Sequence, residues 1–288
     1  MIELTKKSKI LLFIFHVILG IVFFQFRFLS SYYGFLIVAM AIYFILILPD
    51  PKGLIPLFAS AYIIGIEVLL RMAKASLFWE FGKYSILLFL LLGFVRKNKT
   101  SSIYFPIFFY FILLLPSIIQ LPIDSINIWR QYIAFNLSGP ACLFISAIYF
   151  YNTNLKTEEV QDVLLCALLP IISMGVFIMF KMPEFSTYRF LPYSDPNTSG
   201  GYGPNQVSTL LGFGIAVLLY GHFTTKKVFI NKFVDLFIII VLFGLGLLTF
   251  SRGGILASII SLTIAISIYI FYDQKNTQII IKTFIILF

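Results

Sequence analysis

Long apolar runs separated by short polar breaks organise this chain from its first residues. Met1 to Lys9 carries Lys6, Lys7 and Lys9 ahead of an apolar stretch that ends at Phe24-Gln25-Phe26-Arg27. No small-residue cleavage site follows, so this reads as an uncleaved first span with its amino end in the cytoplasm. Further runs follow at about Tyr33 to Leu48, Leu54 to Leu70, Tyr84 to Val95, Ile103 to Ile119 and Tyr132 to Phe150. Four more occur at about Val163 to Phe180, Val207 to Gly221, Val234 to Phe250 and Ile255 to Tyr272. A full helical span needs roughly 20 apolar residues, so the pattern predicts about ten complete spans. The runs are continuous and lack the period-two alternation of a membrane barrel. The expected fold is therefore all-α, a polytopic transmembrane helical bundle, with residues 1–288 as a single integral membrane domain. Gln278 to Phe288 begins another apolar segment and stops at about half a span, which reads as a partial carboxyl-terminal helix of a truncated chain.

Composition supports this reading and narrows it. The chain is 60% hydrophobic and only 11% charged, where a soluble domain carries about 25% charged residues. A formal charge of +9 does not imply nucleic acid, because the basic residues are scattered among short breaks between spans. The breaks assigned to the cytoplasm hold Lys6, Lys7, Lys9, Lys52, Arg96, Lys97, Lys99, Lys156, Lys226, Lys227, Lys232 and Lys275. Those assigned to the outer face hold Arg27, Arg71, Lys74, Lys83, Arg130, Lys181, Arg189 and Arg252. The bias is inward, as the positive-inside rule requires, and the outer set is richer in arginine. Cys142 and Cys166 fall inside apolar runs and read as small buried hydrophobes. His16 and His222 are far apart, with no metal-ligand spacing and no hydrolytic triad to assemble. Inner breaks contain no glycine-rich phosphate cradle, so neither a metal nor a nucleotide cofactor is expected.

Candidate chemistry concentrates at Thr249-Phe250-Ser251-Arg252-Gly253-Gly254, between two apolar runs. An arginine at the end of a span is costly and is a functional candidate on that ground; the plain alternative is an interfacial arginine snorkelling to the headgroups. Its guanidinium fork matches phosphate oxygens, and the glycines beside it admit a ligand or a backbone. A helix starting near Gly253 would aim its first amides at the same anion. Gly244 and Gly246 are expected to allow close helix packing.

A second candidate is the outer break from Tyr188-Arg189-Phe190 to Gly200-Gly201-Tyr202-Gly203-Pro204-Asn205-Gln206. Loop residues of this kind are ordinary punctuation, and the aromatics suit a membrane-interface belt. As a site, its tyrosines offer faces to sugar rings, Arg189 supplies a second phosphate contact, and Asn205 caps the next helix or reaches a ligand. The mixed charges Arg71, Lys74, Glu80 and Lys83 read as the solvated face of an amphipathic outer helix. Arg130, beside Trp129 and Tyr132, is a secondary phosphate candidate.

These two segments together resemble the O-antigen ligase and O-antigen polymerase family. Ser251-Arg252-Gly253 at the head of a span is similar to its Ser-Arg-Gly signature. The segment Gly201 to Gln206, preceded by Arg189, resembles its other recurrent element. The likeness covers about residues 160–275. It implies a glycosyltransferase of the bacterial inner membrane, active on the extracytoplasmic face without metal or nucleotide sugar. The donor would be an undecaprenyl-diphosphate-linked glycan and the acceptor another glycan or lipid A-core, with membrane lipid around both. Arg252 and Arg189 would hold the diphosphate, and Ser251, Gly253, Tyr202, Asn205 and Arg130 would bind substrate. The family's ligases also use a histidine in a large outer loop, which this sequence does not contain. The catalytic base is left among Glu67, Glu80, Asp124, Glu184 and Asp195. Polymerase is favoured over ligase; a solute or anion transporter and a non-catalytic truncated protein are the alternatives.

Overall fold

The structure is a computed structural model that describes residues 5–75, 77–78, 80–96, 105–116, 126–151, 153–184, 193–221 and 229–251, with 126–129 by backbone alone. It also describes 253–254, 256–257, 259–260, 263–264 and 267. Every regular element among these residues is helical. In chain order they are α1 (Lys6–Gln25), α2 (Leu29–Ile47), α3 (Ile55–Met72), α4 (Phe81–Arg96) and α5 (Phe105–Leu114). Then come α6 (Ile126–Phe150), α7 (Thr157–Lys181), a 3-10 turn (Pro196–Ser199), α8 (Pro204–Tyr220) and α9 (Lys232–Leu248). Helical residues resume at Gly253.

Among the described residues, five stretches are long and apolar enough to cross a membrane: α1, α2, α3, Arg130–Phe150 within α6, and α7. The helices α4, α8 and α9 have 16, 17 and 17 residues, and α5 has 10. The protein is thus an all-helical membrane protein, with about half of the expected spans reaching full length among the described residues.

Several helices start earlier than their apolar runs because polar first turns are satisfied locally. α7 begins at Thr157, six positions before its apolar run, with Glu159 accepting from the Lys156 amide at 2.9 Å. This is the reciprocal arm of a helix-start box, and the two acids Glu158 and Glu159 suit the positive end of the helix. Asp50 accepts from the amides of Leu54 and Ile55 at the start of α3, at 2.9 and 2.7 Å. Asp235 does the same for Phe229 and Ile230 before α9, at 2.7 and 3.1 Å, while Asn231 accepts from Val234 at 2.9 Å.

α7 is the axis of the bundle. Its most apolar window is 72% buried, against 22% for α1 and α2, as expected of a helix that is apolar on every side. α1, α3, α8 and α9 pack around it. Backbones approach closely at two glycines: a Cβ on Gly65 of α3 would lie 2.3 Å from the Ala167 carbonyl, and one on Gly20 of α1 2.5 Å from the Ser173 carbonyl. Such small-residue contacts are how helices associate where lipid offers no hydrophobic drive. Gly244 has nothing within 4 Å of where its Cβ would be, so the close packing expected there does not occur. The tight glycine on this side is Gly214 of α8, where a Cβ would lie 3.0 Å from Leu242 and 3.1 Å from Ile171.

One polar chain crosses the bundle interior. A carbonyl can only accept, so His16 Nδ1 donates to the Leu12 carbonyl at 2.8 Å. With the ring neutral, Nε2 then accepts from Tyr62 at 3.0 Å, and Tyr62 accepts from Tyr33 at 2.5 Å. The chain ties α1, α3 and α2 together and satisfies groups that would be costly in lipid.

The bundle has two distinct rims. At one, Lys52 pairs with Glu159, Arg96 donates to the Leu48 carbonyl at 3.0 Å, and Tyr149 donates to the Gly53 carbonyl at 2.9 Å. At the other lie the ends of α1, α3, α7 and α9 and the starts of α2, α4, α6 and α8. The separate amphipathic helix expected around Glu67 to Lys83 is not formed. Glu67 and Arg71 belong to the last turns of α3, and the following connection adopts left-handed backbone at Lys74 (φ 57°) and Glu80 (φ 61°). Two such residues cannot lie within one right-handed helix.

Candidate functional site

The two candidate segments, separated by more than forty positions, meet at the second rim. Ser251 Oγ donates to Asn205 Oδ1 at 2.8 Å, and Ser208 Oγ donates to the Ser251 carbonyl at 2.7 Å. Thr249 Oγ1 accepts from the Ser251 amide at 3.1 Å and donates to the Gly246 carbonyl at 2.7 Å. The end of α9 is thereby closed by a hydroxyl, and Phe250 turns the chain through a left-handed conformation (φ 52°). Gly254 then presses on the start of α8: a Cβ there would fall 2.3 Å from the Thr209 amide nitrogen and 2.6 Å from Ser208 Oγ. Ser208, Thr249 and Ser251 are all buried.

Individual expectations fare differently. Arg252 and Arg189, expected to hold a diphosphate, lie outside the described residues, as do Tyr188 and His222. Asn205 does not cap α8 with its side chain, and its carbonyl oxygen is engaged within the protein. The helix starts at Gly203 without a side-chain cap, and that oxygen accepts from Ser251. Gly253 is open, with nothing within 4 Å of its Cβ position, so Gly254 is the glycine that packing demands. Helical residues do resume at Gly253. Tyr202 is half-buried against the core, and its carbonyl accepts from Ser199 Oγ at 2.7 Å.

Arg130 stands apart from this meeting point. It is exposed and lines a groove of about 1370 Å³ between α4 and α6, with Phe78, Tyr84, Tyr132 and Phe135. Ser138 in the same groove accepts from Lys83 at 3.2 Å.

The outer break carries a built turn ahead of α8. Asp195 Oδ1 accepts from the Asn197 amide at 2.9 Å, its carbonyl accepts from Thr198 and Ser199 at 3.1 and 3.0 Å, and Gly201 donates to the Pro196 carbonyl at 2.7 Å. Thr198 and Ser199 are fully buried. Asp195 therefore holds the turn together through both its carboxylate and its carbonyl. Glu67 is paired with Arg71 at 2.7 Å and Glu80 with Lys83 at 2.5 Å. Glu184 is exposed, and Asp124 lies outside the described residues.

The sequence reading singled out Lys181 only as one outer cation, but the turn is built around it. Lys181 Nζ donates to the Gly200 carbonyl at 2.7 Å and stands 5.5 Å from the centre of the Phe177 ring. Gly200 and Gly201 both take left-handed backbone (φ 71° and 78°), and a Cβ on Gly201 would lie 2.6 Å from Nζ. The two consecutive glycines were the available signal, since each answers a specific steric demand of that ammonium and of Met72. Among the described residues, no group of three His, Cys, Asp or Glu is placed to hold a metal.

No family model, curated protein or solved structure matches the chain.

Proposed function

We propose that this protein is a glycosyltransferase of the bacterial inner membrane that joins undecaprenyl-diphosphate-linked oligosaccharides into surface polysaccharide, as a polymerase before a ligase. In this reading about ten spans cross the bilayer, with the shorter helices α4, α8 and α9 serving as spans where the bilayer thins to meet them. The amino terminus is cytoplasmic and the rim bearing Ser251 faces outward. One observation carries the proposal: Ser251 with Asn205, Ser208 with the Ser251 carbonyl, and Gly254 on α8 join the two motif segments into one unit.

The chemistry follows from that placement. An acceptor hydroxyl oxygen attacks the anomeric carbon, the bond from that carbon to the diphosphate breaks, and the electron pair leaves on the diphosphate oxygen. Negative charge grows on the leaving group, and the positive charges of Arg252 and Arg189 stabilise it. The acceptor proton passes to a carboxylate at the rim. Arg252→Ala and Arg252→Lys are expected to shorten or abolish surface polysaccharide in cells, with protein levels in the membrane unchanged. Normal glycan chain length in both variants overturns the reading.

A solute carrier is the second reading, favoured by the His16–Tyr62–Tyr33 chain inside the bundle. Carriers place polar groups near the midplane on interrupted helices. Here α1, α2 and α3 run unbroken through those residues, and the chain ends on a helix carbonyl.

A further inference from the structure

We infer that Arg27, Lys74 and Lys181 form a binding site for the phosphate headgroup of a membrane lipid. The three come from different parts of the chain: the α1–α2 turn, the α3–α4 connection and the end of α7. Packing brings them to one place. Met72, two residues before Lys74, and Ile178, three before Lys181, both lie against Gly200. Phe24, three residues before Arg27, packs its ring against Phe177 and Phe180 of α7, with 6.2 and 5.7 Å between ring centres, which brings the end of α1 beside Lys181.

Among the described residues no carboxylate pairs with any of the three. Their neighbours show that acids were available at this rim, since Glu67 is bound to Arg71 and Glu80 to Lys83. Three like charges left together repel one another, and an anionic phosphate group relieves that repulsion.

The ammonium of Lys181 is held ready for such a ligand. One of its three protons goes to the Gly200 carbonyl and its stem lies along Phe177, while the other two have no described acceptor. Gly201 keeps the space that Nζ occupies. Arg27 and Lys74 are exposed, as residues meeting a headgroup at the bilayer surface must be. A phosphate at this height has two sources, an anionic phospholipid or the lipid diphosphate of a glycan carrier. The site does not depend on glycan transfer taking place.

The test uses the full chain, purified in detergent and titrated separately with phosphatidylglycerol and with undecaprenyl diphosphate, with retained lipid read by native mass spectrometry. Wild type retains at least one of the two, and which one identifies the source. Lys181→Met is expected to weaken that retention about tenfold. Gly201→Ala has the same direction of effect, because it displaces the ammonium without changing the charge. Arg27→Gln and Lys74→Gln, both at exposed positions that folding tolerates, each weaken retention several-fold. Lys232→Met, an exposed lysine at the opposite rim, leaves it unchanged. Equal retention of both lipids by wild type and by the triple variant Arg27→Gln, Lys74→Gln, Lys181→Met overturns the inference. So does a loss in Lys232→Met as large as that in Lys181→Met. Loss of polysaccharide in Arg252→Ala with lipid retention intact would separate this site from the transfer chemistry.

Discussion

The two rims handle charge in opposite ways. At the rim of Lys52 and Glu159, polar groups packed into the bundle close on the protein itself. Glu159 takes Lys52 and the Lys156 amide, Asp50 takes two amides of α3, and Arg96 takes a carbonyl of α2. At the rim of Ser251, two ion pairs are likewise closed, but Arg27, Lys74 and Lys181 gather without an acid. Turns at the first rim are held by carboxylates; the turn before α8 is held by the Asp195 carboxylate and also carries the Lys181 ammonium on its Gly200 carbonyl. A rim whose polar groups answer one another is architecture, whereas one that concentrates a single sign of charge is prepared for something else to complete it.

The largest expected effect tests whether the rims share one scaffold. Gly65→Leu forces a side chain into the carbonyl of Ala167 on the central helix, where a Cβ alone would lie 2.3 Å away. Overpacking of this kind costs about 1–3 kcal/mol and sometimes more. Since the displaced atom is backbone, the upper end is expected, read as a lowered Tm in detergent. Retained stability in Gly65→Leu would mean that α3 and α7 do not pack as described.

A smaller loss is expected at the first rim from Asp235→Ala, which leaves the amides of Phe229 and Ile230 without their acceptor. Each buried amide left unsatisfied costs about 1–3 kcal/mol. Thermal unfolding should register it, while lipid retention at the opposite rim stays at the wild-type level. A fall in lipid retention at unchanged Tm would erase the distinction between the rims.

The sequence made the helical membrane fold legible because continuous apolar runs admit little else. It located most helices but misjudged their polar ends. The first turn of α7 (Thr157, Glu158, Glu159) looked like loop, because a satisfied carboxylate and an exposed one have the same letter. Span number was less legible, since α4, α8 and α9 are short and run-counting does not measure helix length. At the site, the meeting of Asn205 with Ser251 could be anticipated as proximity of two motifs, although not as a hydrogen bond between them. Lys181 was legible only as one outer cation near two consecutive glycines. Its role depends on Gly200, Gly201 and Phe177 converging in space, and the sequence displays those only as loop and core.

The smallest effect is also the sharpest, because it concerns a single contact between the motif segments. Ser251→Ala removes the donor to Asn205, and Asn205→Ala removes the acceptor. A neutral hydrogen bond of this kind contributes about 1 kcal/mol. Asn205 is exposed as a residue while Ser251 is buried, so Asn205→Ala, which leaves the buried Ser251 hydroxyl without its acceptor, should destabilise no less than Ser251→Ala. If the contact is what couples α8 to the turn after α9, the two losses are not additive. The double variant then loses less than the sum, by about 0.5 kcal/mol or more. Chemical denaturation of the four proteins in mixed micelles measures the cycle. Strict additivity would mean that the segments are neighbours held by Gly254 and Ser208 alone, with the Ser251 hydroxyl available to a substrate instead.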